Sequence, residues 1–396
     1  MAEENNKAKR IISLIVFMTL ILGFGIDLYA PSFPAIAKAL KTSQQLVQLS
    51  IATYFFGYVL GMLFLGPLSD ALGRRRPLIF GIGFYCLMSL ACVFSPNIYF
   101  LLVLRMLQGM GVSAVGMLCR SILGDVFTGK QLAKAMSYYA MSYRLGPIIA
   151  PMVGGYLVFY FGWTSNFYFL TAFGLILLVC VTWLLPETHF DLTKFHPKLV
   201  FDRYASLLKK RVFLGGALCI GMLYSLMIIF NVVGPFFIQE ILGHSPISYG
   251  NIAFLLGVIA FSGMLTNRFL MQYKPPEKMI AFGMSAIVVV VFLQVVLAYL
   301  FPVNLYSFLL PVMALLFLTG LINSNIMSRV IDSGGRGKGV ASALVGILII
   351  SCTGILTALS SFLESTTARP FAFAFLAIVL VCFCSYKFLF KSSSVD

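Results

Sequence analysis

The stretch FGIDLYAPSFP, Phe24 to Pro34, sets an aspartate near the end of the first long apolar run and follows it with two prolines. A charge near the centre of a bilayer costs at least about 2.5–3.5 kcal/mol on insertion scales. Either this run lies outside a membrane, or Asp27 has work to do inside one.

Composition decides the first point. Of 396 residues, 60% are hydrophobic and 10% charged, and the mean hydropathy is +0.97. Soluble domains carry about 25% charged residues, and no soluble fold of this length hides so much apolar surface. Apolar runs of about 20 residues, enough to cross a bilayer, recur near 11–37, 46–67, 77–95, 98–122, 134–160, 164–185, 212–240, 248–271, 278–300, 304–328, 338–363 and 370–390. The period-2 alternation of a membrane barrel is absent. The spans are therefore read as helices, the form that satisfies its own backbone in lipid.

The formal net charge of +15 does not point to nucleic acid. With the N-terminus inside, the outside loops hold only Lys38, Lys41 and Arg369, and Arg105, Arg120 and Arg144 lie within or at the ends of spans. All other basic residues fall on the inside. That asymmetry is the positive-inside rule, with both termini cytoplasmic. The 8 cysteines fall in apolar spans and read as small apolar residues; the 3 histidines lie in loops, so no zinc site is expected. The first run ends in Ala35–Ala37, which mimics a signal-peptidase site, but it is long for a leader and reads as a span.

The longest polar stretch, Glu187 to Arg211, divides the spans six and six. Three echoes link the halves. Asp27-x-x-x-Pro31-x-Phe33 matches Asn231-x-x-x-Pro235-x-Phe237; Gly66-x-Leu68-Ser69-Asp70 matches Gly263-x-Leu265-Thr266-Asn267; Gly129-Lys130-x-x-Ala133 matches Gly337-Lys338-x-x-Ala341. They occur in one order at nearly one offset, as expected of a repeated bundle. In two of them an acid in the first half becomes asparagine in the second. The expected fold is an all-α polytopic membrane protein with twelve transmembrane helices in two pseudo-symmetric six-helix bundles, 1–186 and 212–396, joined by a cytoplasmic linker loop, 187–211.

Four motifs carry a family resemblance. GPLSDALGRRRPL, Gly66 to Leu78, resembles the signature loop of the major facilitator superfamily. RMLQGMGVSA, Arg105 to Ala114, resembles the fourth-helix motif of its proton-coupled members, and GPIIAPMVGG, Gly146 to Gly155, the fifth-helix motif of its drug:proton antiporters. IDLYAPSFP resembles the first-helix motif of the twelve-helix, bicyclomycin-resistance type. The motifs cover most of the N-terminal half; the C-terminal half matches by helix pattern and the echoes alone.

The resemblance implies gating residues. Asp70 would meet the N-terminus of the eleventh helix, where free N–H groups favour an anion, with Gly66, Gly73, Arg74 and Arg75 in the same latch. A plain basic turn is the bland alternative. Gly146, Pro147, Pro151, Gly154 and Gly155 crowd the fifth span: prolines kink a helix and glycines flatten a face, so this segment is read as the bend that seals the pathway, or simply as a packed kink. Arg120 and Asp125 close the fourth span, as an inner gate or as a surface ion pair.

At 1.5 Å per residue, Asp27 and Arg105 lie about 15 and about 12 Å below the outer surface. In the family fold both helices line the central cavity, so the two are within reach directly or through water. Burial favours the neutral acid and Arg105 the carboxylate, so a proton can exchange there and compete with substrate; a silent structural ion pair is the alternative. Arg144, about 15 Å into the fifth span, departs from the family pattern. It is read as a second partner for Asp27, as a binding group for an anionic substrate, or as a snorkelling side chain. Tyr54, Tyr58, Tyr143, Tyr224, Asn231 and Asn325 are candidate cavity walls.

The expected activity is proton-coupled antiport that exports small amphipathic compounds or drugs by alternating access. Alternatives are export of an anionic metabolite such as a carboxylate siderophore, and import. The expected partners are the lipid bilayer, a small-molecule substrate and protons, with no nucleic acid, no cofactor beyond the proton gradient, no catalysis, and a monomer in the bacterial inner membrane. No acyl-transfer or protease motif appears.

Overall fold

The computed structural model describes residues 2–190, 197–335 and 338–391; the side chains of 1–7, 66, 67, 70, 191–201, 203, 336–339 and 391 lie outside that description. Among the described residues, twelve helices are long and apolar enough to cross a membrane. They are α1 with α2 (Ala2–Asp27, Phe33–Ala39), α3 (Gln44–Leu72), α4 (Arg75–Val93), α5 (Ile98–Val126), α6 (Gly129–Phe161), α7 (Thr164–Leu184), α9 (Arg211–Phe236), α10 (Pro246–Leu270), α11 (Pro276–Leu300), α12 (Leu305–Ser333), α13 (Lys338–Ser360) and α14 (Ala368–Ser385). No strand occurs among the described residues.

Asparagines cap two of the helices where the sequence leaves its loops. The Asn97 side chain accepts from Phe100 N–H at the start of α5, and Asn304 accepts from Tyr306 and Ser307 at the start of α12. An asparagine in this place satisfies N–H groups that the first turn leaves orphaned. α5 and α12 are both 29 residues long and share this cap, which extends the internal repeat beyond the three echoes.

Three elements differ from the sequence reading. The first span is not one helix: α1 stops at Asp27, a 3-10 turn covers Ala30–Ser32, and α2 resumes at Phe33. Pro31 and Pro34 have no N–H to give to the preceding turn, so two helical bonds are missing within four residues and the helix gives way to a 3-10 turn there. The fifth span starts at Gly129, five residues earlier than expected, which puts Arg144 deeper along α6. The linker is not wholly loop, because Pro197–Leu208 forms helix α8, with Leu207 buried.

The chain forms two compact units: Met1–Phe195 with Pro246–Asn251, and His196–Ser245 with Ile252–Asp396. In the first, α3 and α4 pack on α5, α1 lies along α6 and α7, and α4 packs on α7. In the second, α9 packs on α12 and α13, and α11 on α12 and α14. The buried face of each helix is largely apolar. Buried polar residues occur in both units, but the buried charged side chains among the described residues, Asp27, Arg74 and Arg105, all lie in the first.

Candidate functional site

Breaking a helix in a membrane frees carbonyl oxygens that need partners. Two side chains supply them. Arg105, on α5, donates through Nη2 to Gly25 O at 3.0 Å. Asn166, on α7, donates to Leu28 O at 2.9 Å and to Ser32 Oγ at 2.6 Å. The break is thus pinned on either side of Asp27, which is itself 1% exposed.

Arg105 is fully buried. Its guanidinium lies between two aromatic faces, 4.5 Å from the Tyr29 centroid and 4.4 Å from that of Tyr54. Its other hydrogen bond goes to Gln108 Oε1. Gln108 in turn donates to Ser89 Oγ at 2.7 Å, and Ser89 to Tyr85 O at 2.7 Å, so the network crosses from α5 to α4. Arg105 therefore holds the backbone two residues before Asp27. Arg105 Nε, Tyr54 Oη and Tyr85 Oη are buried with no hydrogen-bond partner among the described residues. Tyr54 and Tyr249 both lie within electrostatic range of Asp27.

The signature loop builds a second polar cluster. Arg74 bonds Asp125 Oδ2 through Nε at 3.1 Å and Ser69 Oγ through Nη1 at 2.8 Å. Arg75 donates to Thr182 O at 2.6 Å. Glu187 caps the start of α4: it accepts from the N–H groups of Arg74 (2.8 Å), Arg75 (3.2 Å), Thr188 (2.9 Å) and His189 (3.1 Å). Burial pushes the Glu187 carboxyl up, but the four N–H bonds outweigh it and hold the group below the usual glutamate range. Gly73 stands at φ +84°, and a side chain there would strike the Glu187 carboxylate.

The remaining sequence-predicted residues distribute as follows. Gly66 and Asp70 lie on α3 and are otherwise outside the described residues. Asp125 goes to Arg74, while Arg120, the other half of the expected inner gate, is half-buried within electrostatic range of Tyr58, Tyr139 and Tyr143. On α6, Gly146 and Pro147 press on Leu20 and Gly23 of α1, Gly154 presses on Leu28 beside Asp27, and Gly155 and Pro151 meet the first turn of α10 at Pro246 and Gly250. Arg144 and Tyr143 are half-buried. In the second unit Asn231 is buried within an unbroken α9, Tyr224 is half-buried, and Asn325 pairs with Asn267.

Sequence reasoning passed over Tyr29, Gln108, Asn166 and Glu187. Gln108 had a signal, since it stands three residues after Arg105 on the same helix face. Asn166 and Glu187 act across long sequence separations, and no local pattern marks them.

A helical membrane protein of twelve spans, with its first span broken at a buried carboxylate and pinned by a buried arginine, has the architecture of a transporter that works around a discontinuous helix. The chain belongs to the Major Facilitator Superfamily, whose family model matches residues 15–358. An uncharacterized MFS-type transporter of Bacillus subtilis, YdgK, is 32% identical over 94% of both chains. A bicyclomycin resistance protein homolog of Haemophilus influenzae is 27% identical over 94% of both. A solved D-xylose-proton symporter matches with a TM-score of 0.74 over 96% of this chain and 97% of its own, at 15% identity, which shows the fold alone. The protein is an integral membrane transporter.

Proposed function

We propose that the protein is a proton-coupled antiporter of the bacterial inner membrane, with both termini cytoplasmic, that exports small amphipathic compounds or drugs by alternating access between its two bundles. The observation that carries this reading is Asp27, a buried carboxyl at the end of a broken intramembrane helix. Such groups are functional by default. Protonation removes its charge and deprotonation restores it, so substrate and proton can exclude one another at one place, which is the minimum that antiport needs. The relative named for bicyclomycin resistance supports a drug as the cargo. Export of an anionic metabolite, such as a carboxylate siderophore, is a second reading, favoured by Arg144 inside α6.

The test is proton flux in inside-out vesicles that hold a pH gradient, with lipophilic cations, neutral drugs and carboxylates added to wild type and Asp27→Asn. A compound that releases protons through wild type but not the variant supports antiport and makes Asp27 the coupling group. Release that continues unchanged in Asp27→Asn overturns the assignment.

A further inference from the structure

Buried hydroxyls in the second unit donate to carbonyls of their own helix: Ser225 to Met222 O at 2.7 Å on α9, and Thr319 to Leu316 O at 2.9 Å on α12. Two buried thiols do otherwise. Cys219 Sγ, on α9, lies 3.5 Å from Cys382 O on α14, and Cys382 Sγ lies 3.8 Å from Cys219 O. Each sulfur thus rests on the backbone of the other residue, 163 positions away in the chain. One turn along both helices, Ser385 Oγ donates to Gly215 O at 3.3 Å, so small residues let α9 and α14 close in. Two residues past Cys219, a Cβ at Gly221 would meet Cys352 of α13, whose Sγ would be 3.2 Å away. Three free thiols from three helices gather on one stretch of α9.

We propose that Cys219 and Cys382 form a reversible oxidation site, closed as a disulfide between α9 and α14 by a hydroperoxide dissolved in the bilayer. A disulfide needs Cα atoms about 4.4–6.8 Å apart, and two side chains that each reach the other's backbone bring the helices that close. Both thiols are buried in membrane-spanning helices, so the oxidant is one that enters lipid. One sulfur attacks the terminal peroxide oxygen. An S–O bond forms, the O–O bond breaks, and the alkoxide leaves as an alcohol with the thiol proton. The second sulfur attacks the resulting sulfenic acid. The S–S bond forms, the S–O bond breaks, and hydroxide leaves as water with the second thiol proton. Two thiols lose two electrons, and the peroxide is reduced to alcohol and water. A sulfenic acid with no thiol beside it passes on to sulfinic acid, which thiols do not restore. The pair thus converts a permanent lesion into a crosslink that a thiol reductant reopens.

The experiment treats the full chain in nanodiscs with cumene hydroperoxide, blocks the remaining thiols, and maps peptides by mass spectrometry without reductant. Wild type should yield the Cys219–Cys382 crosslinked peptide, and dithiothreitol should return both thiols. Cys352→Ser should give the same crosslink, which assigns the pair. Cys219→Ser should give no crosslink and should carry sulfinic acid at Cys382 instead. The thermal midpoint of oxidised wild type should lie above that of the reduced protein, and oxidised Cys219→Ser should show no such rise. If Cys219→Ser does not fold, the wild-type and Cys352→Ser maps decide alone. Cys384, which is exposed, reports that the oxidant has acted. Wild type in which Cys384 is oxidised while Cys219 and Cys382 stay thiols overturns the proposal, as does a crosslink that runs to Cys352, or sulfinic acid at either residue of the pair without a disulfide.

Discussion

Arg105 donates to the carbonyl oxygen of Gly25 across 3.0 Å, two residues before Asp27. The arginine thus holds the helix end that carries the carboxyl, and acts on Asp27 through the backbone as well as through its charge. Truncation has a defined cost. Arg105→Ala leaves Gly25 O and Gln108 Oε1 buried without a donor, each worth about 1–3 kcal/mol, and removes contacts with two aromatic faces worth about 2 kcal/mol when desolvated. Arg105→Lys keeps the charge but not the fork. Thermal unfolding in detergent should fall most for Arg105→Ala and less for Arg105→Lys, and drug export should fall at least tenfold in both. Equal unfolding of Arg105→Ala and wild type would remove this account of the network.

The spans and the internal repeat were legible in the sequence because lipid imposes one rule along the whole chain: long apolar runs, punctuated by charge. The break at Asp27 was half legible. Pro31 and Pro34 announce it, but an apolar run through residue 37 hides where the helix stops. The partners that stabilise the break were not legible. Asn166 lies 138 positions from Leu28, and only the packing of α7 on α1 brings them together. Glu187 reads as the first polar residue of a linker, yet it reaches back 113 positions to the N–H of Arg74. Arg120 and Asp125 share a helix end and opposite charges, but their spacing of five turns them to different faces, so each finds its own neighbours.

Asn166 serves a carbonyl that the break has orphaned. In a continuous helix Leu28 O would accept from Ser32 N–H, but that group bonds Tyr29 O at 3.0 Å instead. Asn166→Asp removes the amide donor and turns a carboxylate toward a carbonyl oxygen. It should destabilise the protein more than Asn166→Ala, which leaves two buried acceptors, Leu28 O and Ser32 Oγ, without this donor, at about 1–3 kcal/mol each. Ser32→Ala should cost least, because Asn166 keeps its bond to Leu28. Unfolding midpoints of the three variants in detergent check the order.

Glu187 makes the start of α4 sensitive to acid. Its folded carboxyl lies below the ordinary glutamate value of about 4.3, so its contribution is fully present above that value and is lost as pH falls through the lower folded one. Glu187→Gln keeps one carbonyl acceptor and loses the charge and the Oε2 bond to Arg75 N–H. The stability gap between wild type and Glu187→Gln should be constant near neutral pH and should close as the pH drops below about 4.3. Gly73→Ala probes the same turn. Its left-handed backbone costs about 1–2 kcal/mol for a residue with a Cβ, and the carboxylate must also move. Gly162, at φ +79° with open space around it, carries only the backbone cost, so Gly73→Ala should be the more harmful of the two.

Asn267 and Asn325 exchange amide hydrogen bonds in both directions, at 3.1 Å and 2.9 Å, inside the second unit. Asn267 occupies the place that Asp70 holds in the first repeat, so the second half answers its position with a neutral, self-satisfied pair. Removing either amide strands the other donor and acceptor in a buried place; removing both strands neither. Single Asn267→Ala and Asn325→Ala variants should therefore each lose stability, and the double variant should lose less than their sum, with a coupling of about 0.6–1.7 kcal/mol as seen for polar contacts in membranes. If the losses simply add, the two amides contribute separately and the pair is not the unit that holds α10 to α12. If the double variant also exports drug normally, the pair is purely structural, and charge-dependent steps belong to the first unit alone.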